Sequence, residues 1–262
     1  MGREFQLIFV RPIQGPDNLS KYLSNTLTKV VFNDVTEMPE GSFKDKTALE
    51  YASFPNLTAV PNNCFLRCSG LKTANVPNAV SIGISAFGAC SSLETVNVDS
   101  ATEIISSAFS NCTALKDISL PKVETIFSQG FYNCSSLEKI ILPNVTRVVN
   151  GFKGCTSLEC VDFHKSVTLL TSAFQHCTSL SIMILRGDTV SNLPTAVFAE
   201  TPFAADGTGG TIYIPETLYN RLGDGSEYDY MLTQLVAGGG HVTFAKLEGS
   251  KYESPDWSED DG

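Results

Sequence analysis

The sequence predicts a solenoid, in which about seven coils of some 22 residues stack along one axis and place short parallel strands side by side. Phenylalanine marks the coils, at spacings of 22, 22, 22, 22, 21, 22 and 24 residues: Phe43, Phe65, Phe87, Phe109, Phe131, Phe152, Phe174 and Phe198. A leucine follows each of the first seven after six residues. A repeat of this length cannot bury its own apolar side chains, so neighbouring coils must stack.

Each leucine opens a short segment with an alternating pattern, which is the period of a strand. In residues 115–120, for example, Leu115, Ile118 and Leu120 are predicted to face inward. A second apolar position lies four or five residues before most of the phenylalanines, as Ile104 does before Phe109. Each coil therefore contributes about four apolar side chains to one continuous core.

An N-terminal cap is predicted over residues 1–42, because the first coil of a solenoid would otherwise expose an apolar end face. It contains apolar segments at residues 5–10 and 28–32, which are predicted to be strands, and a short helix at residues 19–23. The repeat array itself occupies residues 43–198.

A C-terminal cap is predicted over residues 199–248. It has closing strands at residues 211–215 and 241–245 and, between them, an amphipathic helix whose apolar side chains have helical spacing: Tyr228, Met231, Leu232 and Leu235. Residues 249–262 are polar and acidic, which predicts a disordered tail.

Cysteine occupies one position in the corner of six coils, three residues after the phenylalanine: Cys68, Cys90, Cys112, Cys134, Cys155 and Cys177. In stacked coils their Cβ vectors run parallel, whereas a disulfide needs them to converge, and a linear ladder cannot surround a zinc ion. We therefore expect buried, reduced thiols. Cys160 lies off this column and is predicted to point outward from its strand, as the best candidate for an exposed thiol.

A hydroxyl occupies the next corner position, four residues after each of the first seven phenylalanines, as at Thr113 and Thr178. Serine and threonine hydroxyls can bond to backbone groups within a tight turn. The sequence therefore predicts that this side chain supplies a local partner to a buried corner.

The recurring motif Ser-Ala-Phe-x-x-Cys-[Ser/Thr]-x-Leu-x-x-[Ile/Val]-x-[Leu/Val/Phe] resembles the BspA-like class of leucine-rich repeats. Residues 85–98, 107–120 and 172–185 match it well, and the resemblance covers about residues 30–215. It implies a right-handed leucine-rich-repeat solenoid of α/β type, with short parallel strands, irregular or short helical returns and a cap at each end. It also implies a cell-surface or secreted bacterial protein that acts in adhesion, although we recognise no signal peptide or wall anchor in this sequence.

Composition and motifs disfavour catalysis, nucleic-acid binding and membrane insertion. The formal net charge is −10 and there is no basic cluster, which nucleic-acid binding requires. No apolar segment approaches the ~20 residues that span a bilayer. The histidines show neither metal-binding spacing nor a nucleophile that the sequence pairs with them: His164, His176 and His241. Phosphate-binding and nucleophile-elbow motifs are also missing, so we expect no enzyme, cofactor or metal.

The open face of the strands is the predicted binding surface. We select its outward-pointing positions as the candidate binding face: Tyr51, Thr73, Asn75, Thr95, Asn97, Asp117, Ser119, Lys139, Ile141, Asp162, Ile182 and Ile184. The face is polar toward the N-terminus and apolar toward Ile141, Ile182 and Ile184. An apolar patch of this kind marks either a partner site or a surface that the C-terminal cap covers.

The sequence thus predicts a non-catalytic interaction or adhesion protein that binds a protein or glycan ligand, host-derived or not, through several coils. The alternative is a phage or prophage virion-associated protein of the tail or of attachment. That alternative rests on the missing secretion signal and on the closing segment at residues 211–215, which resembles the end of such arrays in gut bacteria and their prophages. The oligomeric state and the ligand's identity do not follow from the sequence.

Overall fold

A computed structural model describes residues 6–7, 23–170, 172–187, 195–204, 207–223, 225 and 241–255. Over these residues the chain winds as a parallel β-solenoid of about seven turns with very little helix. This architecture confirms the predicted leucine-rich-repeat solenoid of short parallel strands.

One strand of most coils lies in a front layer, which consists of two five-stranded parallel sheets. The strands of the first sheet are β1 (Gln6–Leu7), β2 (Lys29–Val31), β3 (Tyr51–Ser53), β5 (Thr73–Asn75) and β7 (Thr95–Asn97). Those of the second are β10 (Lys139–Leu142), β12 (Cys160–Phe163), β14 (Ile182–Leu185), β15 (Gly210–Ile214) and β16 (Val242–Lys246). Equivalent repeat positions pair with each other, as Ala52 does with Ala74 and Ile140 with Val161.

A second strand in six coils forms a back sheet, which was not predicted from the sequence. Its strands are β4 (Ala59–Val60), β6 (Ser81–Ile82), β8 (Glu103–Ile104), β9 (Thr125–Ile126), β11 (Arg147–Val149) and β13 (Thr168–Leu170). The inward residue of each strand is the apolar position that precedes each phenylalanine, such as the fully buried Ile104 and Ile126. Most of these strands have two residues, which is too short for an alternating pattern to be recognised.

Helix is confined, in the described part of the chain, to a 3-10 segment at Thr195–Phe198 and a single turn, α1, at Glu216–Tyr219. The predicted terminal strands are present, since residues 5–10 and 28–32 contain β1 and β2. The closing strands predicted at residues 211–215 and 241–245 correspond to β15 and β16. The helices predicted at residues 19–23 and 228–235 fall outside the described residues, Leu23 excepted.

The repeated phenylalanines form one continuous stack through the core. From Phe43 to Phe174 successive ring centroids lie 5.1 to 5.4 Å apart, and the ring planes differ by 8° or less. These rings are fully buried. Each ring from Phe65 to Phe174 therefore packs against two equivalent rings, an arrangement that adds to the free energy gained by burying its area.

The corners beside the phenylalanines have left-handed backbone at two positions in each coil. Around Phe109, for example, φ is 59° at Ser107 and 60° at Asn111. This conformation is costly for residues other than glycine. Hydrogen bonds between coils offset the cost, since Phe109 N–H donates to the Gly130 carbonyl at 2.8 Å and Asn111 N–H to the Tyr132 carbonyl at 2.7 Å.

The corner hydroxyls do not act as predicted. Most of them are exposed, and four donate to the carbonyl of the same repeat position in the preceding coil: Ser91, Thr113, Thr156 and Thr178. Thr113 Oγ1 donates to Ser91 O at 3.2 Å, and Thr178 Oγ1 donates to Thr156 O at 3.3 Å. The prediction of a local bond in a buried corner was wrong because stacking places a carbonyl of the neighbouring coil within reach.

Replacing Phe109 by alanine is expected to lower the free energy of unfolding by about 3–5 kcal/mol, because the rings of Phe87 and Phe131 hold the resulting cavity open. Denaturant-induced unfolding followed by circular dichroism measures this change. The matched control is Ile84→Ala, which truncates a side chain that is 47% exposed and should change stability by less than about 0.5 kcal/mol. Equal stability of Phe109→Ala and the wild-type chain would contradict the stacked core.

Candidate binding face

The front layer is interrupted at residues 116–120. Their burial alternates as in a strand, with Ile118 and Leu120 inward, but they pair with neither β7 nor β10. Glu138 N–H donates to the Lys116 carbonyl at 3.0 Å, and within the described residues no backbone hydrogen bond involves residues 117–120. Unpaired backbone groups are therefore concentrated at this level of the front face.

The coils remain stacked behind the interruption. The back sheet continues from β8 through β9 to β11, and the rings of Phe109 and Phe131 lie 5.2 Å apart. The coils thus separate only at the front surface. The inward side chain at the strand centre grows toward the interruption, from alanine in β3 and β5 through Val96 in β7 to isoleucine at Ile118 and Ile140.

A cleft of about 620 Å³, which we call the central cleft, opens at the interruption. Its lining residues are Asp117, Ile118, Ser119, Leu120, Pro121, Lys139, Ile140, Ile141 and Pro143. Isoleucine side chains supply apolar surface, Asp117 and Lys139 supply charge, and the unpaired backbone of residues 117–120 supplies donors and acceptors. The central cleft can therefore hold a ligand that offers both hydrogen-bonding groups and apolar surface.

Most of the candidate residues lie where the sequence predicts, on the accessible front surface. Nine of them lie before β12 in the chain: Tyr51, Thr73, Asn75, Thr95, Asn97, Asp117, Ser119, Lys139 and Ile141. At the N-terminal end Lys29 Nζ lies 5.2 Å from the centroid of the Tyr51 ring, and Asn75 Nδ2 donates to Ser53 Oγ at 3.2 Å. The structure brings four of these residues, Asp117, Ser119, Lys139 and Ile141, together around the central cleft.

The C-terminal end of the predicted face is covered. Asp162 and Ile184 are fully buried and Ile182 is half-buried. Residues 247–255, which we call the strap, lie over this end, and Tyr252 of the strap is only 3% exposed. Of the two explanations for the apolar end of the face, the structure therefore supports coverage by the C-terminal segment, and Asp162 and Ile184 are not available to a partner.

The prediction of disorder from residue 249 onward is wrong for residues 249–255. Ser250 Oγ donates to the Leu247 carbonyl at 2.6 Å and accepts a hydrogen bond from Tyr252 N–H at 3.2 Å, which holds the strap in a compact turn. The Tyr252 ring packs edge-on against Tyr213, with the centroids 4.8 Å apart. The acidic, polar composition of residues 249–262 gave no sign that Tyr252 is buried against the sheet. Residues 256–262 lie outside the described residues.

Arg186, which forms an ion pair with Asp162, binds the strap to the sheet through hydrogen bonds. Arg186 Nε donates to Asp162 Oδ1 at 2.9 Å and Nη2 donates to Oδ2 at 2.8 Å. The same guanidinium donates to three successive strap carbonyls, those of Tyr252 at 2.8 Å, Glu253 at 2.9 Å and Ser254 at 3.0 Å. Sequence reasoning missed Arg186. The signal that could have found it is a carboxylate at an otherwise apolar end of the face, since a buried carboxylate needs a cation.

The eight cysteines are all buried and unpaired. As predicted, the corner thiols form a ladder, in which each S–H donates to the phenylalanine carbonyl of the preceding coil, as Cys112 does to Phe87 at 3.2 Å. Burial raises the pKa of the thiols of Cys90, Cys112 and Cys155, and it raises that of Cys68 to about 12. The prediction that Cys160 is exposed was wrong. It points outward, but Tyr252 and Ile184 cover it, so it is 5% exposed and burial raises the pKa of its thiol as well.

The histidines do not form a site. His164 Nε2 lies 3.6 Å from Asp162 Oδ2, and His176 Nδ1 lies 2.6 Å from a Glu200 carboxylate oxygen at the surface. Within the described residues no group of three His, Cys, Asp or Glu side chains could hold a metal ion. Nor does a helix in that part of the chain have the length and apolar character needed to cross a membrane.

The repeats match a family model described as BspA type leucine rich repeat region, in six copies, over residues 20–116 and 102–205. These matches cover more than half of the sequence. The chain belongs to the BspA-type leucine-rich-repeat family. A search of curated proteins found no match to this BspA-type chain.

Three solved structures resemble this BspA-type protein. A leucine rich cell surface protein from Faecalibacterium prausnitzii A2-165 is 21% identical over 53% of this chain and 52% of its own, with a TM-score of 0.43. A leucine-rich repeat protein from Bacteroides ovatus ATCC 8483 is 17% identical over 85% and 84%, with a TM-score of 0.33. A T. pallidum leucine rich repeat protein is 21% identical over 59% and 78%, with a TM-score of 0.40. The chain thus spans about half the length of the Faecalibacterium protein.

A thiol-reagent titration is expected to detect almost no reactive cysteine in the folded protein and eight after denaturation, because all eight are buried as free thiols. Burial disfavours the thiolate, which is the reactive form. Maleimide labelling followed by mass spectrometry gives both counts. Fewer than eight thiols in the denatured, unreduced protein would reveal disulfides, and rapid labelling of Cys160 in the folded protein would contradict its position beneath the strap.

Proposed function

We propose that this BspA-type protein is a non-catalytic interaction protein of the bacterial cell surface, and that its front face binds a protein or glycan partner. The observation that carries the proposal is the central cleft, which lies on the exposed part of the face. Its charged residues Asp117 and Lys139 flank apolar surface from Ile118, Ile140 and Ile141. A non-catalytic role is in keeping with a family of repeat proteins.

The unpaired backbone of residues 117–120 is the strongest reason to place a partner at the central cleft. Backbone N–H and carbonyl groups that lack a protein partner must bond to water or to a ligand. The cleft volume of about 620 Å³ is within the range of small-ligand sites, roughly 300–1,000 Å³. A peptide main chain or a sugar supplies donors and acceptors together and thus suits such a wall.

The polar surface on the N-terminal side of the cleft provides the rest of the proposed interface. Thr73, Asn75, Thr95 and Asn97 occupy equivalent positions on β5 and β7, which pair in register. A partner that spans these coils can bond to several hydroxyl and amide groups at once. Complementarity spread over several coils is how solenoid proteins bind extended ligands.

A cell-surface location and a host-derived ligand are typical of proteins with BspA-type repeats. We extend both to this chain as part of the proposal. The phage or prophage alternative gains no support from the family match.

The substitution Ile141→Glu is expected to weaken partner binding at least about tenfold, equal to about 1.4 kcal/mol, because it places a charge on apolar surface of the central cleft. The matched control is Ile84→Glu, the same change at an isoleucine that is 47% exposed and does not line the cleft. Arrays of host matrix proteins and glycans identify a partner of the wild-type chain. Titration calorimetry of that partner with the two variants then measures the effect.

Two outcomes would count against the proposed function. One is equal affinity of Ile141→Glu and Ile84→Glu for a partner found on the arrays, which would place binding outside the cleft. The other is an array on which the folded wild-type chain binds no protein and no glycan.

A further inference from the structure

The strap behaves as an occupant of a site on the front face, and that site is built from other parts of the chain. The side chains beneath Tyr252 come from β12, β14 and β15, namely Cys160, Ile184 and Tyr213. Arg186 follows β14 and donates hydrogen bonds to the strap backbone. The site therefore consists of an apolar depression for one aromatic ring and a cation for the main chain that follows it.

The cationic part of this site is held in place without the strap. The Asp162 carboxylate is fully buried, and its two oxygens accept hydrogen bonds from Nε and Nη2 of Arg186. A guanidinium fixed in this bidentate geometry is preorganised, because its planar fork loses little further freedom when it binds carbonyls. The guanidinium of Arg186 is therefore rigid before it donates hydrogen bonds to the strap.

The recognition combines a sequence-specific contact with a general one. Three hydrogen bonds from Arg186 reach main-chain carbonyls, which any polypeptide can supply in the same conformation. The buried aromatic ring is specific, since Tyr252 packs against Tyr213 with a centroid separation of 4.8 Å. A segment with an aromatic residue followed by two residues with free carbonyls reproduces both contacts.

Residues 249–255 of the strap form a turn of their own, whereas its first two residues are tied to β15 and α1. Leu247 N–H donates to the Ile214 carbonyl at 2.8 Å, and Glu248 Oε2 accepts a hydrogen bond from Glu216 N–H at 2.7 Å. Ser250 ties Leu247 to Tyr252, and Glu253 Oε2 accepts a hydrogen bond from Gly249 N–H at 3.0 Å. The preceding strand, β16, is anchored separately by five paired positions along β15. Release of residues 249–255 therefore does not require β16 to leave the sheet.

We propose that the surface beneath the strap is a second binding site for a polypeptide partner, and that the strap is its intramolecular occupant. The partner is a segment that presents an aromatic side chain to Cys160, Ile184 and Tyr213 and three successive carbonyls to Arg186. The tethered strap competes with it at a millimolar effective concentration, as expected for a short linker. Binding of the partner therefore uncovers the front face beyond β10 only when its affinity or local concentration exceeds that of the strap.

The thiol of Cys160 reports whether the site is open, because Tyr252 covers it. In the full chain, Tyr252→Ala is expected to speed maleimide labelling of Cys160 roughly tenfold or more, since labelling follows the population of the open state. The other seven cysteines serve as internal controls, because their continued protection shows that the solenoid remains folded. Ser250→Ala, which loosens the turn of the strap without removing a contact to the sheet, provides a second variant with the same expected direction.

A synthetic peptide with the sequence of residues 247–255 is the probe for binding. Added to the Tyr252→Ala chain, it is expected to bind in a fluorescence anisotropy titration and to restore protection of Cys160. The matched control peptide carries alanine in place of the tyrosine and is expected to do neither. Ile84→Glu, which lines neither site, is expected to leave binding of the peptide unchanged. The peptide titration needs no partner from the arrays, so failure of this proposal and failure of the proposed function are distinguishable.

Three results would overturn the proposal. Protection of Cys160 in both strap variants would show that the strap does not cover it. Faster labelling of Cys160 without binding of the peptide would show that the strap is a cap and nothing more. A dimer of the wild-type chain in light scattering that disappears in Tyr252→Ala would assign the site to a second copy of this protein.

Discussion

The register between successive coils is the constraint on which the rest of the structure depends. Parallel strands lie about 4.8 Å apart, so each side chain meets its counterpart one coil away. The phenylalanine rings stack at 5.1 to 5.4 Å for this reason. The same register lets thiols and hydroxyls donate to carbonyls of the preceding coil, as Cys112 and Thr113 do. The same geometric repeat therefore packs the side chains of the core and gives the side chains of the corners their hydrogen-bond acceptors.

The front face departs from this repeat in two places, and both concern backbone groups. At residues 116–120 the strand loses its neighbours, although the core behind it stays packed. At the other end of the face, Arg186 gives the carbonyls of residues 252–254 partners that no sheet provides. The first departure leaves backbone groups open to a ligand, and the second shows how the same face holds a polypeptide segment.

The buried carboxylate of Asp162 is connected to the strap through Arg186. A buried carboxylate such as Asp162 is costly unless it is paired and hydrogen-bonded. Arg186 pairs with it, and the strap carbonyls take up remaining donors of the guanidinium. The covered end of the face therefore contains a buried ion pair beside its apolar surface. It also divides the face into an open part around the central cleft and a closed part beneath the strap.

The sequence by itself determined the solenoid, the columns of core side chains and the reduced thiols, because a fixed period specifies which residues stack. It did not reveal the two-residue strands of the back sheet, which are too short to show a pattern. The bonds of the corner hydroxyls, the central cleft, the burial of Cys160 and the role of Arg186 were decided only by the tertiary structure. Each depends on contacts between coils or, for Arg186 and the strap, across 66 to 68 residues, which no local periodicity encodes.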